Sequence, residues 1–186
     1  MRIVLASASP RRQELLRNAG IDFVVSPANI EEVQFAGESA TQFAERMARE
    51  KARAVRKPTA DSWILGADTV VVVGDEVLGK PENQQDASRM LRLLSGRKHQ
   101  VITGVCLLGN GFEDVRSETT AVHFSALSDA DIREYVASGE PMDKAGAYAI
   151  QGSASRWITT IEGEYSNIVG LPVDLVSRML REHNCA

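Results

Sequence analysis

Cysteine is nearly absent from this chain: 186 residues contain two, Cys106 within an apolar stretch and Cys185 beside the C-terminus. Their placement offers neither a disulfide framework nor metal-ligand spacing. Histidine is almost as scarce. His99, His123 and His183 are scattered, which gives no support for a histidine-built zinc site or a Ser-His-Asp triad, and each reads as a surface or half-buried structural residue. No apolar run approaches the ~18 residues of a membrane span and no secretory leader is visible, so a cytoplasmic location with no membrane partner is expected. A positive charge balance is lacking too. The formal net charge of -4 argues against general nucleic-acid binding, so any phosphate ligand needs a local cationic pocket. No GxGxxG follows a strand, which removes a dinucleotide-dependent oxidoreductase.

What is present is enough apolar sequence, 44% of residues, for a real core and for one domain over residues 1–186, with room for two lobes. Met1 to Ala6 reads as a buried strand, followed by a helix with Ser9 as N-cap and Pro10 in its first turn. A second strand at Ile21 to Ser26 leads to a polar loop through Glu31, Glu32 and Gly37. Ser39 then caps a helix reaching about Lys57. Trp63 to Val73 reads as a buried strand interrupted at Gly66-Ala67-Asp68-Thr69, with a turn at Gly74-Asp75 and a return strand at Glu76 to Leu78. A helix over Asn83 to Leu94, strands near Gln100 to Leu108 and Val115 to Phe124, and a helix capped by Ser128 come next. A glycine-rich stretch, a strand around Trp157 to Ile161 and a helix from Pro172 complete the chain. Strands and helices interleave throughout, which predicts an α/β fold with a mixed, twisted sheet and flanking helices.

Five segments are candidates for chemistry. At the first strand-helix junction, the segment Leu5 to Arg12 combines backbone donors, the positive helix end and the guanidinium fork of Arg11 or Arg12, a design for an anion, although it also reads as a capped helix with solvated arginines. On the helix from Ser39, Lys51 projects into the stripe Phe43, Ala44, Met47 and Ala48 at about 100° per residue. Such an ammonium must meet a carboxylate, reach a solvated cleft or snorkel. Asp68 follows an apolar run, where α/β sheets gather ligands at strand ends, and suits proton acceptance or cation binding, with Glu32 or, in second place, Glu31 as a second carboxylate. Gly74 to Lys80 satisfies GxxxxGK, but Pro81 stands where a P-loop needs Ser or Thr, and Val77 and Leu78 belong to a hairpin. Lys80 remains available to a phosphate. In Asp143 to Gly152, Gln151 both donates and accepts, which suits a base edge, although the segment also reads as a buried structural loop.

Together these segments resemble the Maf family of nucleoside triphosphate pyrophosphatases over nearly the whole chain. The resemblance rests on Ser7-Ala8-Ser9-Pro10-Arg11-Arg12, Glu50-Lys51-Ala52, Gly66-Ala67-Asp68-Thr69, Gly79-Lys80-Pro81, Leu94-Ser95-Gly96, Thr103-Gly104, Asp143 to Tyr148, Ile150-Gln151-Gly152 and Val169-Gly170-Leu171-Pro172. It implies an elongated, two-lobed α/β molecule with a central cleft, similar to inosine triphosphatases and commonly homodimeric. It also implies hydrolysis of a nucleoside triphosphate to monophosphate and pyrophosphate with a divalent cation, Mg²⁺ or Mn²⁺. By matching position, Asp68 is the implied proton acceptor or metal-linked carboxylate and Glu32 helps hold the cation. Ser7, Arg11, Arg12, Lys51 and Lys80 line the implied phosphate channel. A branch handling 7-methyl-GTP tends to carry Trp after the first proline, Ser-Asp-Gln at the central aspartate and Glu for the late Gln. Here Arg11 follows Pro10, and Ala67-Asp68-Thr69 and Gln151 stand in the other places. That pattern resembles the dTTP/UTP branch, with Arg12, Thr69 and Gln151 as the implied specificity residues. The alternative is a nucleotide-binding regulator of septum formation without turnover, and the Glu32 and Asp68 pair favours the enzyme, since a pure binder gains nothing from negative charge beside phosphate.

Overall fold

The computed structural model describes residues 2–55, 62–109 and 111–183. Met1, Lys57 and Cys185, on which parts of the sequence reading fall, lie outside them. The chain runs β1 (Arg2–Leu5), α1 (Pro10–Asn18), β2 (Phe23–Val25), α2 (Ala40–Ala54), β3 (Ser62–Val73), β4 (Glu76–Leu78), α3 (Gln84–Leu94), β5 (Lys98–Gly109), β6 (Phe112–Phe124), α4 (Asp129–Ala137), β7 (Ile158–Glu162), α5 (Tyr165–Val169) and α6 (Val173–Glu182). Among the described residues, seven strands form a mixed sheet of order β2-β1-β3-β5-β6-β7, with β4 paired to β3. β1 runs parallel to β2 and β3, as a strand-helix-strand chain requires, whereas β4 and β7 pair antiparallel to β3 and β6.

The chain divides into two compact units. The first comprises residues 1–69, 103–118 and 170–186. One of its cores joins Leu5, Leu16, Leu65, Leu107, Leu171 and Met179, and a smaller one joins Ala6, Ala48, Ala52, Ile64 and Cys106. The second comprises residues 70–102 and 119–169, with a core of Leu91, Leu94, Val122, Tyr135, Tyr148 and Trp157. Burial pushes the Cys106 thiol up to about 12, so it behaves as a small hydrophobe.

Capping chemistry sets the helix starts as the sequence predicts. Ser9 accepts from the Arg12 backbone N–H, and Ser39 with Gln42 and Ser128 with Asp131 form capping boxes. Three readings change. β3 continues unbroken through Gly66 to Thr69, which places Asp68 inside a strand rather than at its end. The glycine-rich stretch winds into three short 3₁₀ turns. His99 is fully buried, bonded through Nε2 to the Tyr148 hydroxyl at 2.8 Å, and burial lowers its pKa to about 4.

Glycine is what carries β3 through. A Cβ on Gly66 would lie 2.1 Å from the Ala48 carbonyl oxygen, and one on Gly104 would lie 2.3 Å from that of Ala44. Two strands therefore present bare backbone to the small-residue face of α2, which lies flush on them. Gly66→Ala is expected to cost about 1–3 kcal/mol through forced backbone movement. Urea unfolding would measure the loss, and an unchanged midpoint would show that α2 yields freely.

Candidate functional site

The flush packing of α2 in the first unit fixes Lys51. Its ammonium lies 2.5 Å from Asp68 Oδ1 and 2.6 Å from Glu32 Oε1, with its side chain 11% exposed. Of the outcomes open to it, the lysine meets carboxylates. Asp68 is buried, and desolvation outweighs the Lys51 and Arg12 charges, holding its carboxyl above the usual carboxylate range.

Arg12 is buried on the same face of α1 as Leu16, one turn earlier. Its Nε donates to the Gly170 carbonyl at 2.8 Å, Nη1 to Ser7 Oγ at 3.1 Å and Nη2 to Thr69 Oγ1 at 3.1 Å. All three acceptors are neutral, so the charge is oriented but not cancelled. Burial lowers the Arg12 pKa, while Asp68 and Glu32 act in the opposite direction and Arg11 reinforces the lowering. The first unit thus brings Ser7, Arg11, Arg12, Glu32, Lys51, Asp68 and Thr69 into one electrostatic neighbourhood. Lys80 and Gln151 belong to the second unit, and both are exposed there. Within that unit the Gly146 N–H donates to the Gly79 carbonyl at 3.0 Å, tying the segment that precedes Lys80 to the loop that leads to Gln151. Gly146, Ala147, Tyr148 and Ile150 are buried, so much of that loop is core.

Thr103 belongs with these residues although the sequence gives it no role beyond its place in a motif. Fully buried on β5, it shares a 3.0 Å hydrogen bond with Thr69 Oγ1, the hydroxyl that accepts from Arg12. The Gly170 carbonyl is a second omission, since a backbone acceptor leaves no side-chain signature.

Asp68 and Glu32 both reach one positive charge, and hard divalent cations select such oxygen donors, so this pair fits a cation. Asp114, Glu182 and His183 also cluster. There Arg116 pairs with Asp114 at 2.7 Å and with Glu182 at 2.5 Å, as Lys51 pairs with Asp68 and Glu32.

A family model described as Maf-like protein matches residues 2–183. The chain belongs to the Maf family. It is 55% identical to a protein of Koribacter versatilis named dTTP/UTP pyrophosphatase, covering 97% of this chain and 94% of that one. Proteins of the same name from Symbiobacterium thermophilum (51% identical, 97% and 93% covered) and Geobacter sulfurreducens (50% identical, 97% and 95% covered) are also similar. The Staphylococcus aureus Ham1 protein structure shares the fold, with a TM-score of 0.50 at 14% identity over 98% of this chain and 100% of that one. Among the described residues, no helix of this Maf protein is long and apolar enough to cross a membrane.

Lys51→Met leaves Asp68 without its shortest ion pair and is expected to cost about 3–5 kcal/mol near neutrality. The cost should shrink on acidification, because a protonated Asp68 no longer needs the ammonium, while the ionised unfolded chain gains as pH rises. Denaturant melts at about pH 5 and about pH 8 would check this, and equal losses would contradict it.

Proposed function

We propose that this Maf protein is a single-domain nucleoside triphosphate pyrophosphatase that hydrolyses dTTP and UTP to the monophosphate and pyrophosphate. The observation that carries the reading is the pairing of a buried guanidinium on neutral acceptors with a carboxylate whose pKa is raised by burial. A pocket of this kind attracts a polyanion while keeping a base nearer neutrality than an ordinary aspartate. The likeness of about half the residues to proteins named dTTP/UTP pyrophosphatase supports the choice of substrates.

In this mechanism Arg12, Arg11, Ser7, Lys51 and Lys80 hold the triphosphate, and Gln151 with Arg12 and Thr69 sets base preference. Asp68 orients a water towards the α-phosphorus and takes its proton at a carboxylate oxygen. The new P–O bond forms as the bond to the bridging oxygen breaks, and pyrophosphate leaves with that electron pair. Glu32 and Asp68 would hold Mg²⁺ or Mn²⁺, and the cation would supply charge neutralisation at the phosphates. Positioning and fixed charge contribute most of the barrier reduction. The same reading makes the protein a cytoplasmic homodimer, which light scattering of the purified protein tests for oligomeric state.

Asp68→Asn preserves shape and removes the accepting charge, so turnover should fall about 10²-fold or more. Pyrophosphate release would be measured with a panel of normal and modified triphosphates plus Mg²⁺ or Mn²⁺. Parental turnover in the variant removes Asp68 from the chemistry. Orthophosphate release refutes the bond assignment, preference for 7-methyl-GTP refutes the substrate choice, and tight binding without turnover favours the regulator. Activity should be lost on acidification at a pH above the ordinary aspartate value, because the raised Asp68 pKa protonates the base early.

A further inference from the structure

Residues 26–38 connect β2 to α2 without a helix or strand, yet this segment presents Glu32 to Lys51 at 2.6 Å. One guanidinium ties it down. Arg46, on α2, donates through Nε to Glu38 Oε1 at 2.6 Å and through Nη2 to Glu38 Oε2 at 2.8 Å, a two-pronged fork. The same Nη2 donates to the Val33 carbonyl at 2.7 Å, one residue from Glu32. The plane of the guanidinium also carries Phe35, whose ring centroid lies 3.9 Å away. Glu38 closes the arrangement by accepting from the Phe35 backbone N–H at 3.0 Å.

This is more fastening than an exposed loop needs for its own sake. Phe35 is 60% exposed and Val33 49% exposed, so little burial holds the segment, and the polar clamp must substitute. Arg46 and Lys51 ride on one rigid helix, so the residue that fastens the loop and the residue that Glu32 meets keep a constant separation. A lysine offers three donors on a single nitrogen and lacks the planar fork with which Arg46 spans both Glu38 oxygens and the Val33 carbonyl from two nitrogens.

We propose that Arg46 is a positioning residue for the reaction: by clamping Val33, Phe35 and Glu38 it sets the place of the Glu32 carboxylate, and so the affinity for the divalent cation. The proposal rests on the assignment of Glu32 to the cation made above. It concerns cation affinity and loop order, not the chemical step.

The test compares Arg46→Gln, Arg46→Lys, Glu32→Gln and Glu50→Gln with the parent, using Mn²⁺ as the probe and UTP as substrate. Glu50 contacts Arg46 at 3.1 Å without touching the loop, so it serves as the control. Arg46→Gln and Arg46→Lys are expected to raise the Mn²⁺ concentration for half-activation about tenfold, the scale seen when a ligand loses its support. The kcat at saturating Mn²⁺ should stay within a fewfold of the parent. Amide hydrogen exchange over residues 31–36, read without metal or nucleotide, should accelerate about tenfold in both variants and not in Glu50→Gln. A merely stabilising role would lower the melting temperature and leave the Mn²⁺ requirement alone. If Glu32→Gln raises the Mn²⁺ requirement and the Arg46 variants do not, Arg46 is excluded as the positioning residue. Unchanged exchange over residues 31–36 also overturns the clamp. If Glu32→Gln itself leaves the Mn²⁺ requirement unchanged, the Glu32 assignment fails and the proposal falls with it.

Discussion

The Lys51 ammonium, held by Asp68 on one side and Glu32 on the other, is the contact around which the first unit is organised. A lysine in the apolar face of a helix is costly without such partners. Its placement demands that α2 approach the sheet closely, and that approach demands glycine on two strands, at Gly66 and Gly104. Backbone proximity, charge pairing and the burial of Asp68 are therefore one arrangement. Altering the strand surface would move the helix, and moving the helix would separate the charges.

Arg12 extends the same logic to the opening segment. Its guanidinium reaches from α1 to Ser7, Thr69 and the Gly170 carbonyl, joining the start, middle and end of the chain within one unit. Hydrogen bonds to neutral groups aim the charge without quenching it. Asp68 stands nearby with its proton affinity raised by desolvation. An anion-seeking group and a carboxylate that resists ionisation are each unfavourable for stability, and a site that stores both is organised for a ligand rather than for rigidity.

Much of this was legible in the amino-acid order. Ser9, Ser39 and Ser128 announced helix starts, because a side-chain oxygen followed three residues later by a free amide is a local event. The stripe on α2 exposed Lys51 as an anomaly, and the Asp68 motif pointed to the right strand. The continuity of that strand is not legible there. Glycine at 66 reads locally as an interruption, whereas its value lies in contact with a helix distant in the chain. His99 lies deeper than its neighbours in sequence suggest, since nothing adjacent to it reveals that Tyr148 supplies its partner. Thr103 escaped for the same reason, its function being to meet Thr69 across neighbouring strands.

The sequence alone determined the α/β class, the caps, the apolar faces and the residue types able to hold a polyanion and a cation, because these depend on neighbours a few positions apart. Only the tertiary structure decided which of them meet. The two carboxylates on Lys51, the neutral cradle of Arg12 and the Arg46 clamp on the loop around Glu32 all join segments from separate elements. Such pairings follow from how closely the backbones approach, a quantity that spacing along the chain does not encode.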